Sequence, residues 1–596
     1  MADNLAQKIP KPNTKYQDFL KNPNVHSLYL TEIAPYEIDE IIHDLGSNKS
    51  GDIYGNTSNI VKLGGPVLTQ ILTLLFNKSL DQGIFPNALK ISKIIPIHKG
   101  DSLFEMSNYR PISLLPIFSK ILEKLMYSRV IDFIKRYKIL YENQFGFQKG
   151  LSTEFAINSL LNNIIKCLED KEVGFCILLD FAKAFDTVNH EILLQKLEYY
   201  GIRGTAHKWF KSYLTERKQC TEVGNTQSKL DYVKCGVPQG SILGPLLFLL
   251  YINDIVLSSN VCKFTLFADD TSLFYSHKDK VEGAKILNTE LSKIADWLAA
   301  NKLSLNVSKS KLLIFSNKRS NKQASNTTTT ETDLVVNNEV ADTSDINIYI
   351  SGEKLKEVDH AKYLGALIDN KLNWSYHINA VSLKLSKGSG LLAKARHFVP
   401  SDTLRSLYFS FINPYIDYNL LNWGMATPTN LNPIHLKMKR VVRIMAFKGR
   451  DHHTAGLFQD LEILPLDKFI RLRYGKFMWR LNNGFLPETL ANNFHRNRRS
   501  QLSNSLSRLE SFKQYVLFAG PQLWNELPSE ITNKSSLNSF SSALKNHLMG
   551  KPITSNRNSS RNNSSNPSNR TNPTNHISNL ANNRGINLPF VSRWNQ

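Results

Sequence analysis

Residues 262–275, Cys-Lys-Phe-Thr-Leu-Phe-Ala-Asp-Asp-Thr-Ser-Leu-Phe-Tyr, place two adjacent aspartates between two apolar runs. The runs 264–267 and 271–275 are rich in aromatic and β-branched residues, which favours strands. The stretch therefore predicts a hairpin that carries Asp269 and Asp270 at its tip. Adjacent carboxylates repel each other, so a fold that holds both favours a bound cation, and oxygen ligands suit Mg²⁺. An Asp-Asp turn by itself is more often a solvated loop tip.

A third aspartate follows an apolar run upstream. Residues 175–179, Phe-Cys-Ile-Leu-Leu, predict a buried strand that ends on Asp180. If this strand lies beside the hairpin, Asp180, Asp269 and Asp270 converge. Two divalent ions about 4 Å apart, held by such acids, would clamp the attacking and leaving oxygens of an in-line phosphoryl transfer. The pattern predicts polymerase or nuclease chemistry.

The composition restricts the class of protein. The chain has 596 residues, too many for one core, which predicts two or three domains. It carries 73 Lys and Arg against 51 Asp and Glu, a formal net charge of +22 at pH 7, which favours a polyanionic partner. The five cysteines lack the spacing of a zinc site and are expected to be free thiols. The most apolar stretch, 241–257, is interrupted by Pro245, Asn253 and Asp254, so it predicts a buried helix and no membrane partner.

An ordered series of motifs surrounds the three acids. In chain order they are 94–101 (IIPIHKGD), 108–115 (NYRPISLL), 144–150 (QFGFQKG), the Asp180 strand, 236–245 (GVPQGSILGP), 267–270 (FADD), 303–311 (LSLNVSKSK) and 362–365 (KYLG). Together they resemble the reverse transcriptases of non-LTR (LINE-type, jockey-like) retrotransposons, over roughly residues 33–549. A single motif could arise by chance, whereas the ordered set favours the family.

The resemblance implies an α/β (α+β) right-hand polymerase with fingers, an antiparallel palm sheet and a mainly helical thumb. The implied divisions are a polar N-terminal segment (1–32), fingers and palm (33–370, with a flexible insertion at 318–344), a helical thumb with a C-terminal basic region (371–550), and an Asn/Ser-rich tail (551–596). The tail has too few apolar residues to fold alone and is expected to be disordered.

The resemblance also implies catalytic and nucleotide-binding roles. Asp180, Asp269 and Asp270 would hold two Mg²⁺ ions, with Mn²⁺ as an alternative, and Lys309 would stabilise or protonate the leaving pyrophosphate. The implied dNTP-binding residues are Lys99, Arg110, Phe181, Phe185, Gln239 and Gly240. Arg110 suits the triphosphate because a guanidinium binds phosphate through paired hydrogen bonds, whereas Lys99 could equally be an ordinary solvated lysine.

Further roles concern the template, the primer and the sugar of the nucleotide. Template and primer contacts are implied for Gln144, Gly146 and Phe147, and for the primer-grip residues Tyr363, Leu364 and Gly365. Phe185 would lie under the nucleotide sugar and exclude a 2′-hydroxyl, and Asp186 is expected to be structural. The implied partners are an RNA template, an RNA–DNA hybrid, a DNA primer and dNTPs, in a cytoplasmic and nuclear ribonucleoprotein.

Two features set limits on the resemblance. Residues 50–58 (SGDIYGNTS) replace a Gly-x-Asp-like turn that relatives usually carry. The residues before Ile33 are too few for the endonuclease domain of many relatives, so no target nicking is expected.

A noncatalytic RNA-binding remnant of an element protein is the alternative function. A palm polymerase that copies RNA into RNA is a further alternative, which the aromatic Phe185 disfavours.

Overall fold

The computed structural model describes residues 14–46, 51–100, 102–224, 226–317, 346–497, 501–503 and 507–551. Its strands are β1 (Ile91–His98), β2 (Tyr109–Leu114), β3 (Val173–Leu179), β4 (Lys218–Val223), β5 (Thr226–Gln227), β6 (Asp231–Tyr232), β7 (Lys263–Phe267), β8 (Asp270–His277), β9 (Lys311–Phe315), β10 (Tyr349–Ile350), β11 (Glu353–Lys354), β12 (Lys356–Glu357), β13 (His360–Tyr363) and β14 (Ala366–Asp369).

Helices surround these strands and form most of the C-terminal part. They are α1 (Pro35–His43), α2 (Ser58–Leu63), α3 (Gly65–Gln82), α4 (Ile117–Arg136), α5 (Thr153–Glu169), α6 (His190–Tyr199), α7 (Gly204–Leu214), α8 (Leu243–Ile252), α9 (Lys280–Ala300), α10 (Ser375–Ala395), α11 (Ser401–Phe411), α12 (Asn413–Asp417), α13 (Leu420–Trp423), α14 (Pro428–Met445), α15 (Ala455–Asp460), α16 (Leu466–Asn482), α17 (Glu488–Ala491), α18 (Val516–Glu526), α19 (Ser529–Thr532) and α20 (Leu537–Leu548). Among the described helices, none is long and apolar enough to cross a membrane.

The central sheet has the strand order β12-β9-β3-β8-β7. β3 pairs antiparallel with both β8 and β9, and β7 pairs antiparallel with β8. The edge strand β12 runs parallel to β9. The prediction of an antiparallel sheet is therefore confirmed for β9, β3, β8 and β7 and wrong for β12. This strand follows the inserted segment 318–344, which lies outside the described residues.

Every residue of β3 is buried, because both faces of the central sheet are covered. Phe175 and Ile177 belong to a core shared with α9 and α8, whereas Cys176 and Leu178 pack in a second core with α5 and the C-terminal helices. A strand covered on both faces is apolar at successive positions, and this explains the uninterrupted run before Asp180.

A second sheet combines β1 and β2 with the strands β4, β5 and β6, which follow β3 in the chain. β1 pairs antiparallel with β2 and parallel with β4, which also contacts β5 and β6. Helices α2 and α3 are separate, because Gly65, the first residue of α3, takes φ 52° and is followed by Pro66. An exposed α-helical backbone cannot pass unbroken through that left-handed conformation.

The unusual turn at 50–58 has a defined structural role, although Ser50 lies outside the described residues. Asp52 Oδ1 accepts hydrogen bonds from the N–H groups of Tyr54 and Asn56, both at 2.9 Å. Its Oδ2 accepts one from the Ile117 N–H at 3.0 Å. The turn therefore contacts the N-terminus of α4. The Asp52 carboxylate satisfies a helix N–H group that would otherwise lack a partner.

A buried ion pair ties α6 to the segment after α8. Lys196 Nζ lies 2.5 Å from Asp254 Oδ1, and the two side chains are 0% and 1% exposed. Lys196 also donates to the Tyr251 carbonyl at 2.6 Å, and Trp297 Nε1 donates to Asp254 Oδ2 at 3.0 Å. The charges are thus paired and hydrogen-bonded, which a buried pair requires.

Removing one partner of this pair should destabilise the protein strongly. Asp254→Leu leaves the Lys196 ammonium buried without its counter-ion, and we expect a loss of about 3–5 kcal/mol in the free energy of unfolding, measured by urea denaturation. The double variant Lys196→Met/Asp254→Leu should recover part of that loss. Glu488→Gln, which breaks the exposed pair with Lys138, is the control and should leave the midpoint almost unchanged. A single variant as stable as wild type contradicts the assignment.

His377 on α10 is buried between the tryptophans Trp374 and Trp423 and is 5% exposed. Its Nδ1 accepts a hydrogen bond from the Leu367 N–H at 3.3 Å, which joins α10 to β14. Burial, with a smaller contribution from Lys384, lowers the pKa of His377 to about 4. The native state therefore holds this imidazole neutral.

This neutral histidine should make stability depend on pH. An unfolded chain protonates His377 near pH 6.5 and the native state only near pH 4, so stability is fully present above about pH 6.5 and is lost as the pH falls toward 4. The shift corresponds to about 3 kcal/mol. We expect His377→Gln to flatten the decline between pH 6.5 and 4 in urea titrations relative to wild type. Identical slopes for the two proteins would contradict this origin.

Candidate active site

The hairpin β7–β8 carries the two adjacent aspartates, as predicted. Phe267 pairs with Asp270 across a two-residue loop formed by Ala268 and Asp269. Ala268 has φ 57°, a conformation that a residue with a Cβ adopts at a cost. The Gln144 side chain offsets part of that cost, because its Oε1 accepts the Ala268 N–H at 3.1 Å.

Asp180 lies beside this hairpin because of strand register. Leu179, the last residue of β3, pairs with Thr271 of β8, so Asp180, which directly follows β3, lies next to Asp270 in the register of the sheet. The Asp180 N–H donates to Ser310 Oγ at 3.1 Å, and its carbonyl accepts the Asn306 N–H at 2.7 Å. The 303–311 motif therefore fixes the backbone of Asp180.

The three carboxylates interact with one another. The surrounding protein desolvates Asp270, although its side chain is exposed at the hairpin tip, and Asp269 and Asp180 repel its charge, so its pKa is raised to about 7. Burial and Asp180 likewise raise the pKa of Asp269. Burial also raises the pKa of Asp180, against the opposing effect of Lys309, Lys311 and Lys99. Like charges held this close favour a bound cation.

The donor set tests which cation fits. In the part of the chain that the structure describes, no group of three or more Asp, Glu, His or Cys side chains is already arranged as a metal site. Asp180, Asp269 and Asp270 nevertheless present only carboxylate oxygens, which suit hard divalent ions and not soft metals. The chemistry of the side chains fits a divalent ion at the hairpin tip.

Basic side chains converge opposite these acids. Lys99 follows β1, its N–H donates to the Asn108 carbonyl at 2.7 Å, and Arg110 lies on the paired strand β2. Burial lowers the pKa of Lys99, and the charges of Arg110, Lys183 and Lys309 lower it further. Four cations therefore share one region, which suits a polyphosphate.

The predicted sugar and base contacts also lie together. Phe185 stacks on Phe248 with ring centroids 4.4 Å apart, and Phe147 meets Phe185 edge-on at 6.1 Å. Gln239 Nε2 donates to Asp186 Oδ1 at 2.7 Å, which gives Asp186 a structural contact. Gly240 has φ 120°, and an added Cβ would lie 2.6 Å from the Ser113 carbonyl, so the turn packs closely on β2.

Residues 97–368 match the family model described as reverse transcriptase (RNA-dependent DNA polymerase). This part of the chain is similar to a reverse transcriptase domain. It is 29% identical to the probable RNA-directed DNA polymerase from transposon BS of Drosophila melanogaster, over 78% of this chain and 50% of the relative. It is 27% identical to the RNA-directed DNA polymerase from mobile element jockey of the same organism, over 81% of this chain and 52% of the relative.

A jockey protein of Drosophila funebris is similar to the same extent, at 26% identity over 79% of this chain and 50% of the relative. The chain spans about half the length of these curated relatives. The resemblance to jockey-like reverse transcriptases drawn from the motifs is confirmed. The family generally uses divalent metal ions, in agreement with the oxygen donors at the hairpin tip.

The matched region, residues 97–368, contains contacts that the sequence did not indicate. Lys183, with φ 52°, lies close enough to Lys99 to lower its pKa, yet its place three residues after Asp180 resembles that of any solvated lysine. Phe181 is 8% exposed and belongs to the core, so a nucleotide contact there would come mainly from its main chain.

The loop 144–150 is fixed to the hairpin that carries Asp269 and Asp270. An added Cβ on Gly146 would lie 2.4 Å from the Ala268 nitrogen, so the loop needs glycine there. Gln144 is 1% exposed, and its Oε1 accepts from both the Gly146 and the Ala268 N–H groups. Phe147 is half-exposed, with φ 51°. A template contact for Gln144 stays a prediction, while its contact with the hairpin is direct.

Loss of the Gln144 amide should therefore disturb the hairpin. Gln144→Leu leaves buried N–H groups without an acceptor, which costs about 1–3 kcal/mol, and any displacement of Asp269 lowers the rate. We expect kcat for primer extension to fall about tenfold or more at saturating dNTP. Gln522→Leu on α18, an exposed glutamine that bonds Glu526, is the control and should retain wild-type kcat. Equal rates for both variants would contradict this role.

Proposed function

We propose that the protein is an RNA-directed DNA polymerase of a non-LTR retrotransposon that copies RNA into DNA by two-metal-ion nucleotidyl transfer. The observation that carries the proposal is the convergence of Asp180, Asp269 and Asp270 opposite Lys99 and Arg110, within a reverse transcriptase domain. Carboxylates opposite a cationic pocket are what a nucleoside triphosphate and divalent ions require.

The mechanism assigns each group to one part of the reaction. Asp180, Asp269 and Asp270 would hold two Mg²⁺ ions, which when bound activate the primer 3′-hydroxyl and neutralise charge on the leaving oxygen. Arg110, Lys99 and Lys183 bind the triphosphate, of which Arg110 offers two parallel hydrogen bonds.

The remaining contacts orient the nucleotide and the departing group. Phe185, fixed by its stack on Phe248, lies under the sugar and excludes a 2′-hydroxyl, so that dNTPs are selected. Gln239 and Gly240 lie against the nucleotide and its template base. Lys309 is exposed, and its charge acts to lower the pKa of Asp180. It stabilises or protonates the leaving pyrophosphate.

We infer a right-hand arrangement from the same elements. The sheet around β1 and β2 would form the fingers, the sheet around β3 and β8 the palm, and the helices from α10 onward the thumb. The proposed boundaries are 33–370 for fingers and palm and 371–550 for the thumb and C-terminal basic region.

Helix α14 supports contact with a template–primer duplex. Its apolar side chains Ile434, Met438 and Val441 are buried, whereas Lys439 and Arg440 remain at least partly exposed. A basic helix face follows a phosphate backbone without reading sequence, as an RNA–DNA hybrid requires. We propose RNA template, DNA primer and dNTPs as the partners.

The test is primer extension on poly(rA)/oligo(dT) with Mg²⁺ and dTTP. We expect wild type to extend the primer and Asp269→Asn to lose at least about 100-fold in rate, because a site that holds divalent ions supplies several kcal/mol of charge stabilisation. Asp451→Asn, at an exposed position, is the matched control and should extend normally.

The alternative, a noncatalytic RNA-binding protein, predicts a different result. It predicts hybrid binding by wild type and by Asp269→Asn, with no extension by either, in Mg²⁺ or Mn²⁺ and over a range of salt. That outcome would replace the polymerase proposal.

A further inference from the structure

The hairpin β13–β14 turns through an unusual backbone. Leu364 has φ 44° and Gly365 has φ 80°, so two successive residues take the left-handed conformation. Leucine adopts that conformation only at a cost, which other contacts must offset. A Cβ added to Gly365 would lie 2.9 Å from Tyr418 Oη, so the turn lies directly against that tyrosine.

Tyr418 joins this turn to two other parts of the fold. Its Oη donates to the Leu364 carbonyl at 2.6 Å. The same oxygen lies 3.1 Å from Thr153 Oγ1 at the start of α5, shortly after the loop 144–150. A phenol has one proton, and it is given to Leu364, so the Thr153 hydroxyl donates to Tyr418. One hydroxyl therefore connects the hairpin, α5 and the chain between α12 and α13.

Tyr418 is itself held in place. Its carbonyl accepts a hydrogen bond from Trp423 Nε1 at 2.9 Å, and its N–H donates to the Pro414 carbonyl at 3.0 Å. The preceding residue, Asp417, lies 3.4 Å from the Arg473 guanidinium. That guanidinium also pairs with Glu154 on α5 at 2.6 Å. The backbone around Tyr418 is thus held by hydrogen bonds and ion pairs.

The turn also belongs to the core beneath the strand that leads to Asp180, because Tyr363 and Leu364 pack in the same core as Leu178 of β3. Burial raises the pKa of Tyr418, and the charges of Glu154 and, to a smaller extent, Asp270 raise it further. Tyr363, at the end of β13, is also buried; burial raises its pKa, and the charge of Asp270 contributes to the same shift. The phenol therefore stays protonated, as a donor to Leu364 must, and the turn lies near the site where a primer terminus would react.

We propose that Tyr418 is a positioning residue that sets the Leu364–Gly365 turn, and through it the primer 3′ end, relative to Asp269 and Asp270. The proposal rests on the polymerase function proposed above. Tyr418 touches no reacting atom; it acts through the main chain of the turn. Its loss should alter where the primer terminus lies more than how tightly the incoming nucleotide binds.

Tyr418→Phe tests this role, because it keeps the ring against Gly365 and removes the donor. We expect kcat to fall and the KM for primer–template to rise, together lowering kcat/KM for primer–template about tenfold, while the KM for dTTP stays within about twofold. Thr153→Val should have a smaller effect of the same kind, since the Leu364 bond remains. Wild-type values for primer–template in Tyr418→Phe would overturn the proposal.

Tyr515→Phe is the matched control. Tyr515 Oη donates to Asn162 Oδ1 at 2.7 Å and accepts from Asn158 Nδ2 at 2.7 Å, so it also ties the C-terminal helices to α5, without touching the hairpin. It should lower the unfolding midpoint and leave the primer–template KM unchanged. If both tyrosine variants raise that KM equally, the effect is general destabilisation and the proposal fails.

A second readout does not need turnover. The fluorescence of 2-aminopurine at the primer 3′ end, in hybrid bound at saturating protein, reports stacking of the terminus. We expect a changed intensity for Tyr418→Phe and none for Tyr515→Phe. A wild type that binds but extends nothing rejects the polymerase function, and the fluorescence still decides the role of Tyr418. A wild type that extends, with unchanged fluorescence in Tyr418→Phe, rejects the positioning role alone.

Discussion

Electrostatic repulsion among Asp180, Asp269 and Asp270 is the constraint on which the rest of this fold depends. Three carboxylates at one end of a sheet destabilise it: burial raises the pKa of all three, and the neighbouring aspartates raise the pKa values of Asp269 and Asp270 further. They can be held together only on elements too rigid to let them separate. β3, buried on both faces and paired on both edges, is such an element. The stability of the two cores therefore maintains a charge arrangement that is unfavourable until a cation binds.

The motifs that identify the family lie around this charge cluster in space. Ser310 and Asn306 bind the main chain of Asp180, and Gln144 supports the strained Ala268 next to Asp269. Each support comes from a segment distant in sequence from the acid that it holds. Motifs that are far apart along the chain thus contribute residues to the same site.

Elements governed by local sequence could be predicted, and those that depend on tertiary contacts could not. The apolar run before Asp180 and the two runs around 268–269 gave the correct strands, because burial fixes their composition. The break between α2 and α3 depends on the backbone conformation of Gly65, which the spacing of apolar residues does not predict. The parallel strand β12 has only two residues, too few for any periodicity.

The same division holds within the site. Asp180, Asp269 and Asp270 were predictable from the sequence, because Asp180 directly follows a recognisable strand and the other two lie at the tip of a recognisable hairpin. Lys183 and Tyr418 were not, since a lysine in a turn and a tyrosine between short helices have no distinguishing spacing. Their proximity to Lys99 and to Leu364 arises only when distant segments meet.

These distant contacts also bear on where the structural unit that contains the matched region ends. The family match stops at residue 368, within β14, four residues after the turn at Leu364. The contacts that support this turn come from Tyr418, and those that hold Tyr418 in place extend to Arg473 on α16. Arg473 is paired with Glu154 on α5, a helix that packs on the central sheet. Polar contacts thus run from the matched region to the C-terminal helices and back to the core of the matched region. Cutting the chain after β14 would leave Glu154 without its cation and the turn without its donor. The C-terminal helices are therefore part of the same structural unit.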